Sequence, residues 1–87
     1  MKTFKDKVAV ITGAGSGMGR YLAVLLAKDG ADIVACDVNK ETLDETVEML
    51  RKHNVSVSSH LLDVADKEAI EALPQKVIDQ HGKVDLV

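Results

Sequence analysis

The sequence predicts an α/β fold in which strands and helices alternate and the strands form a parallel sheet. Short, continuous apolar runs at residues 8–11 and 33–36 are typical of strands that are buried on both faces of a sheet. Each run is followed by a segment whose apolar residues recur at helical spacing. With a third strand and helix and the start of a fourth strand, the predicted order is βαβαβαβ, with right-handed crossovers.

The first helix is predicted over residues 17–28, after a turn that is rich in glycine. Its larger apolar residues form a stripe, which we expect to pack on the sheet: Met18, Leu22, Leu25 and Leu26. Gly30 stands where a C′ glycine commonly ends a helix. This helix would therefore connect the first strand to the second.

The second strand ends at Asp37, and a second helix follows almost at once. Asn39 is a suitable N-cap for that helix, because its side chain can accept a hydrogen bond from a free backbone N–H. The apolar residues again recur at helical spacing: Leu43, Val47 and Leu50, with Met49 beside them. We expect the helix to end near residues 53–54.

Alternation of apolar and polar residues over residues 55–61 predicts the third strand, which leads into Leu62 and Asp63. Asp66 is expected to cap a third helix, and Gly82 to end it. The apolar side of this helix contains Ile70, Leu73, Val77 and Ile78. Pro74 falls inside the pattern and is expected to kink or split the helix, since it lacks a backbone donor. Residues 84–87 begin the fourth strand.

The glycine-rich turn after the first strand predicts a binding site for a phosphate or pyrophosphate. Free N–H groups and the helix dipole favour an anion where such a turn leads into a helix. A P-loop is excluded because Gly19 is followed by Arg-Tyr rather than by Lys and Ser or Thr. The G-x-G-x-x-G spacing also fails. The spacing that fits is Gly-x-x-x-Gly-x-Gly at Gly13, Gly17 and Gly19, preceded by Thr12.

Acidic residues follow the second and third strands, where ligands bind in this architecture. Asp37 lies 18 residues past Gly19 and can accept hydrogen bonds from a ribose 2′-OH. It would repel a 2′-phosphate by about 4 kcal/mol, for unit charges about 4 Å apart at an effective dielectric constant near 20. This favours NAD over NADP. Asp63 can accept from an adenine amino group, and the amide of Val64 can donate to the ring.

Together, the glycine-rich turn, the acidic residue after the second strand and the Asp-Val pair after the third resemble the N-terminal, cofactor-binding part of the short-chain dehydrogenase/reductase family. The resemblance implies that residues 1–87 form a partial, Rossmann-like NAD-binding domain with strand order 3-2-1-4. Asp37 would hold the hydroxyls of the adenosine ribose, and Asp63 and Val64 would flank the adenine. The residues implied to contact the phosphates and the adjoining ribose are Gly13, Ser16, Gly17, Met18 and Gly19.

The chain departs from that family where catalysis is concerned. The family uses a catalytic Ser and a Tyr-x-x-x-Lys motif, and an Asn-Asn-Ala-Gly motif follows its fourth strand. Here the single tyrosine is Tyr21, and Leu25 stands where the lysine would be. The resemblance implies that a complete enzyme transfers a hydride between NAD(H) and an alcohol or carbonyl substrate, whereas we expect this chain alone to be inactive. Two alternatives stay open: a stand-alone NAD-binding or regulatory module, or a truncated structural or interaction fragment.

Composition excludes several other classes of function. With 11 basic and 14 acidic residues the net charge is −3, so no basic surface for nucleic acid is expected. No stretch is long and apolar enough for a membrane span or a secretory signal, which predicts a cytoplasmic protein. An apolar edge on the fourth strand would favour self-association.

The remaining candidate residues carry no predicted chemistry. Cys36 has no partner cysteine and is interpreted as a small buried apolar residue. The three histidines lack metal-ligand spacing, so no metal site is predicted: His53, His60 and His81. Arg20 could contact a phosphate, but a solvated helix position or a subunit contact is the favoured interpretation.

Overall fold

The computed structural model describes residues 5–63 and 65–82, and it confirms the predicted alternation of strands and helices over that part of the chain. The predicted fourth strand, at residues 84–87, lies outside the described residues. The elements are β1 (Val8–Thr12), α1 (Gly17–Lys28), β2 (Asp32–Asp37), α2 (Lys40–Arg51), β3 (Val57–Leu61) and α3 (Lys67–His81).

The described strands form one parallel sheet in the order β1-β2-β3. Val10 of β1 pairs with Val34 of β2, which in turn pairs with Ser58 of β3. This agrees with the first three places of the predicted order 3-2-1-4. Because the strands are parallel, their carboxyl ends meet at one edge of the sheet, and the three following loops are neighbours there.

The two faces of the sheet pack against different helices. On one face, Ala9 and Ile11 of β1 belong to a core shared with α1 and α2. On the other, Val8 and Val10 belong to a core shared with α3. The predicted apolar residues of α2 are buried at Leu43, Val47 and Leu50, and those of α3 at Leu73 and Val77, whereas Ile78 is exposed.

The face of α1 that packs on the sheet is not the one predicted. Its buried residues are Ala23 and Ala27. Met18 is 83% exposed and Leu22 is 47% exposed, whereas Leu26 is partly buried against the core. The reason is steric, since this helix begins in direct backbone contact with the turn before it. Gly19, Ala23 and Ala27 lie where the helix comes nearest to the turn and the sheet, while Val24 and Leu26 pack at the margin of the core and Met18, Leu22 and Leu25 are exposed.

The predicted helix caps are confirmed, although α2 ends at Arg51, slightly before the predicted end near residues 53–54, and α3 differs inside the helix. The side chains of Asn39 and Asp66 cap α2 and α3 by accepting from Thr42 N and Ala69 N. Gly82 ends α3 with a φ of 84°, in the left-handed region. Pro74, however, does not split α3, which runs on to residue 81. The buried residues on either side, Leu73 and Val77, anchor both halves to the same core.

Candidate functional site

A cleft lies at the carboxyl edge of the sheet, where the loops after the three strands meet. Its volume is about 170 Å³. Pockets that enclose a whole drug-sized ligand span roughly 300–1,000 Å³, so this cleft fits one part of a larger ligand. It is lined by Thr12, Gly13, Cys36, Asp37, Val38, Leu62 and Asp63. The cleft is therefore lined by three of the predicted site residues, one from the carboxyl end of each strand: Gly13, Asp37 and Asp63.

The glycine-rich turn folds back on the first turn of α1. Gly13 and Gly17 have φ values of 68° and 57°, which residues with a side chain rarely adopt. Gly19 is needed for another reason: a Cβ atom there would lie 2.1 Å from the backbone oxygen of Gly13. The motif spacing thus fixes a compact turn against the start of the helix.

The N-terminus of α1 is left available to an anion. The N-cap residue Ser16 makes no side-chain capping hydrogen bond, and the first turn contains no acidic residue. In contrast, α2 and α3 each have a side-chain cap and an acidic residue in the first turn, namely Glu41 and Glu68. In α1, no capping side chain bonds to the first N–H groups, and no acidic residue of the first turn offsets the positive end of the helix dipole. This favours a phosphate group at that position.

Asp37, at the end of β2, holds its carboxylate in place through three backbone N–H groups. Gly15 N donates to Oδ2 at 2.8 Å, while Val38 N and Asn39 N donate to Oδ1 at 2.7 and 3.2 Å. Partial burial acts to raise the pKa of this carboxyl, but the three donors outweigh it and leave the pKa below its ordinary value. The group is therefore an oriented, ionised acceptor at neutral pH.

Gly15 is a site residue that the sequence patterns did not reveal. A Cβ atom at this position would lie 2.6 Å from Thr42 Oγ1 and 2.7 Å from Asp37 Oδ2. The turn therefore packs tightly against both the Asp37 carboxylate and the first turn of α2. No local signal marks this constraint, because both contacts come from residues more than twenty positions away.

The loop after β3 closes the cleft on its third side. Leu62 is buried, and its N–H donates to Asp37 O at 2.9 Å. The side chain of Asp63 is exposed, and its Oδ1 accepts from Ala65 N at 2.8 Å, which stabilises a turn. Asp63 therefore has a structural role in addition to lining the cleft. Val64, the other residue predicted to flank the adenine, lies outside the described residues.

Cys36 is buried, as predicted, although it also lines the cleft. Burial raises the pKa of its thiol to about 11, so the group is neutral at physiological pH. The thiolate form that nucleophilic attack requires is therefore disfavoured. Within residues 5–63 and 65–82, no cluster of acidic residues, histidine or cysteine could hold a metal ion. No helix in the same residues is long and apolar enough to cross a membrane.

Arg20 does not lie free in solvent, which corrects the interpretation as a solvated helix position, whereas a subunit contact stays a prediction. Its Nε donates to Thr46 Oγ1 at 2.8 Å, and its Nη2 donates to Thr42 O at 2.9 Å. Nη2 also lies 3.1 Å from Glu45 Oε1. The guanidinium thus joins α1 to α2, directly behind the glycine-rich turn.

The fold is shared with known proteins. The sequence pattern of the family described as short chain dehydrogenase matches residues 7–87. The chain belongs to this family. An uncharacterized oxidoreductase of Bacillus subtilis, YxbG, is 36% identical to this short-chain dehydrogenase sequence over 87 residues, which are 100% of the chain and 32% of the relative. The 3-oxoacyl-[acyl-carrier-protein] reductase FabG of Thermotoga maritima is 36% identical over 83 residues, or 95% of the chain and 34% of the relative.

Two solved short-chain dehydrogenase structures superimpose closely on the chain. A xylitol dehydrogenase with bound NAD+ has a TM-score of 0.93 at 35% identity and covers 98% of this chain and 33% of its own. A carveol dehydrogenase from Mycobacterium avium in complex with NAD has a TM-score of 0.92 at 31% identity, over 99% of this chain and 36% of its own. The chain therefore spans about a third of the length of the proteins that it matches.

Proposed function

We propose that this chain is the dinucleotide-binding portion of an NAD-dependent short-chain oxidoreductase. The observation that carries the proposal is the carboxylate of Asp37, which is ionised and oriented by three N–H groups at the rim of the cleft. A carboxylate at the end of the second strand can accept hydrogen bonds from both hydroxyls of a ribose. The NAD-bound xylitol and carveol dehydrogenases support a nicotinamide dinucleotide as the ligand.

The described residues fit three parts of such a cofactor. The uncapped start of α1, over residues 16–19, would hold the pyrophosphate on its N–H groups. Gly13, through its positive φ, and Gly19, through its missing side chain, let the turn fold closely against the start of α1, next to these N–H groups. Asp37 would hold the adenosine ribose. Asp63 Oδ2 would accept from the adenine amino group, with Val64 beside the ring.

The same carboxylate supports NAD over NADP. A 2′-phosphate would meet the negative charge of Asp37 at a cost of about 4 kcal/mol before screening. The two residues that follow, Val38 and Asn39, supply no positive charge to offset it. The backbone donors lower the pKa of the carboxyl, so protonation does not relieve this repulsion near neutral pH.

The chemistry of the complete enzyme would be hydride transfer between NAD(H) and an alcohol or carbonyl substrate. The bound nicotinamide supplies the hydride acceptor or donor, whereas the residues of this chain bind and orient the adenosine half. The printed sequence contains no Tyr-x-x-x-Lys pair, and a free phenol with a pKa near 10 is a poor base at neutral pH. We therefore propose that this chain by itself binds NAD but does not turn over an alcohol.

The test is a calorimetric titration of the purified chain with NAD and with NADP. We expect binding of NAD, binding of NADP at least tenfold weaker, and loss of the NAD response in Asp37→Asn. Asp79→Asn is the matched control, because Asp79 lies outside the cleft and its side chain accepts only an exposed bond from Gln75. Equal binding of the two cofactors, or unchanged binding in Asp37→Asn, would refute the assignment.

The exposed side of α1 supports a further proposal, that the chain self-associates in solution. Large apolar side chains that a soluble monomer rarely groups together lie on this helix: Met18, Tyr21, Leu22 and Leu25. Sedimentation velocity at increasing protein concentration measures this directly. We expect species larger than the monomer, reduced in Leu22→Gln. A single monomeric species at high concentration would overturn this part of the proposal.

A further inference from the structure

The peptide group between Ala14 and Gly15 is held from both sides by residues distant in sequence. Its carbonyl oxygen, Ala14 O, accepts from Thr46 Oγ1 at 2.8 Å, and its N–H donates to Asp37 Oδ2 at 2.8 Å. The preceding N–H, of Ala14, donates to Cys36 O at 2.9 Å. The orientation of this one peptide plane therefore links α2 on one side to the Asp37 carboxylate on the other.

The hydroxyl of Thr46 has one proton and two candidate acceptors. Ala14 O lies 2.8 Å from Oγ1, and the carbonyl oxygen of Thr42, one helical turn earlier, lies at 3.2 Å. Bonding back to the earlier turn is the common choice of a threonine inside a helix. Here Arg20 supplies a side-chain donor for that carbonyl in place of the Thr46 hydroxyl, because its Nη2 donates to Thr42 O at 2.9 Å.

Arg20 also occupies one lone pair of the same hydroxyl, because its Nε donates to Thr46 Oγ1 at 2.8 Å. With Thr42 O supplied by Arg20, the nearer carbonyl oxygen, Ala14 O, accepts the hydroxyl proton. Thr46 is completely buried, so an unmatched hydroxyl there would be unfavourable. The ion pair of Arg20 with Glu45 is secondary, since the glutamate side chain is 58% exposed and such pairs contribute little.

We infer that Arg20 and Thr46 are positioning residues for cofactor binding, which act on Asp37 through the Ala14–Gly15 peptide. With the peptide plane fixed, Gly15 N–H points at one carboxylate oxygen and sets the direction in which Asp37 faces the ribose. The inference rests on the proposed function, because it assigns a consequence for NAD affinity. It adds two residues that do not line the cleft.

The test compares a variant that loses the hydroxyl with one that keeps it. Thr46→Val is nearly isosteric and removes the bond to Ala14 O, whereas Thr46→Ser preserves it. We expect NAD binding about tenfold weaker in the valine variant, which corresponds to about one lost hydrogen bond, and recovery to within about twofold in the serine variant. Arg20→Lys keeps the charge but not the paired donors and should behave like the valine variant. Glu45→Gln is the control and should bind normally.

A second measurement needs no ligand. Hydrogen exchange of the Gly15 amide, followed by NMR, reports whether the peptide is held against Asp37. We expect exchange at least about tenfold faster in Thr46→Val and Arg20→Lys, and unchanged in Thr46→Ser. The Val34 amide, in the central strand, monitors global stability. Its exchange should stay the same in a variant whose effect is confined to the turn.

The outcomes separate the two levels of the proposal. If the wild-type chain binds NAD and Thr46→Val matches it in affinity and in Gly15 exchange, the positioning role is overturned and the proposed function stands. If all variants weaken binding in proportion to faster Val34 exchange, the role is merely structural and the inference is overturned. If the wild-type chain fails to bind NAD, the proposed function and the cofactor role fall together. Gly15 exchange then still decides whether the peptide is held.

Discussion

Replacing Gly19 by alanine tests the close approach between α1 and the glycine-rich turn. The new Cβ atom would lie 2.1 Å from Gly13 O and 2.6 Å from Gly13 C. Both are backbone atoms of the turn, so they cannot rotate away as a side chain could. Overpacking of this kind costs about 3 kcal/mol at the upper end of its usual range. The better helix propensity of alanine returns about 1 kcal/mol, so we expect a net loss of about 2 kcal/mol.

Urea denaturation followed by circular dichroism measures this loss, and thermal unfolding should show a melting temperature lower by about 8–16 °C. Ser16→Ala is the control in the same turn, because the Ser16 side chain is exposed and makes no capping bond. It should change stability by no more than about 0.5 kcal/mol. The refuting result is a Gly19→Ala chain as stable as wild type or more so. Helix propensity would then dominate, and the contact would not constrain the turn.

Three further predictions concern the site and the core. In Gly15→Ala the new Cβ atom would contact the side chains of Thr42 and Asp37, which can move, rather than backbone atoms. Calorimetry should therefore show an NAD affinity that is more than about tenfold weaker, and urea denaturation a smaller loss of stability than in Gly19→Ala. The lowered pKa of Asp37 means that its contribution to stability is present above the ordinary aspartate pKa of about 3.9. That contribution, together with NAD binding, should be lost as pH falls through the lowered value, and Asp37→Asn should flatten this part of the urea-stability profile between pH 6 and 2. Leu50→Ala, at a fully buried position of α2, should lower the urea-derived free energy of unfolding by about 2–5 kcal/mol, and a loss below about 1 kcal/mol would contradict the packing described here.

The elements of the fold could be predicted from the sequence because their signals are local. A buried strand needs a continuous apolar run, and β2 shows it between two helical segments. The starts of α2 and α3 could be predicted for the same reason. The side chains of Asn39 and Asp66 accept from the N–H three residues ahead, so both partners lie within one turn of the chain. Asp37 was also found in this way, as the acidic residue that closes β2.

What could not be predicted depends on distances between elements. Hydrophobicity predicted that the large residues of α1 face the sheet, but the positions of closest approach are occupied by Gly19, Ala23 and Ala27. Arg20 was interpreted as solvated because its partners, Thr42 and Thr46, lie more than twenty residues away. Pro74 was expected to kink or split α3, and the apolar stripe on both sides of it did not show that packing of Leu73 and Val77 would hold one continuous helix.

The glycines of the turn show why a motif can locate a site without explaining it. Gly13 and Gly17 are required by backbone angles, with open space where a side chain would begin. Gly19 is required by contact with a neighbouring backbone, and Gly15, which is no part of the matched spacing, is required by the carboxylate of Asp37. A substitution should therefore act differently at each position: through backbone strain at Gly13 and Gly17, through lost stability at Gly19, and through lost NAD binding at Gly15. Because Gly15 carries the peptide that positions Asp37, the glycine outside the motif is the one we expect to govern cofactor affinity most directly.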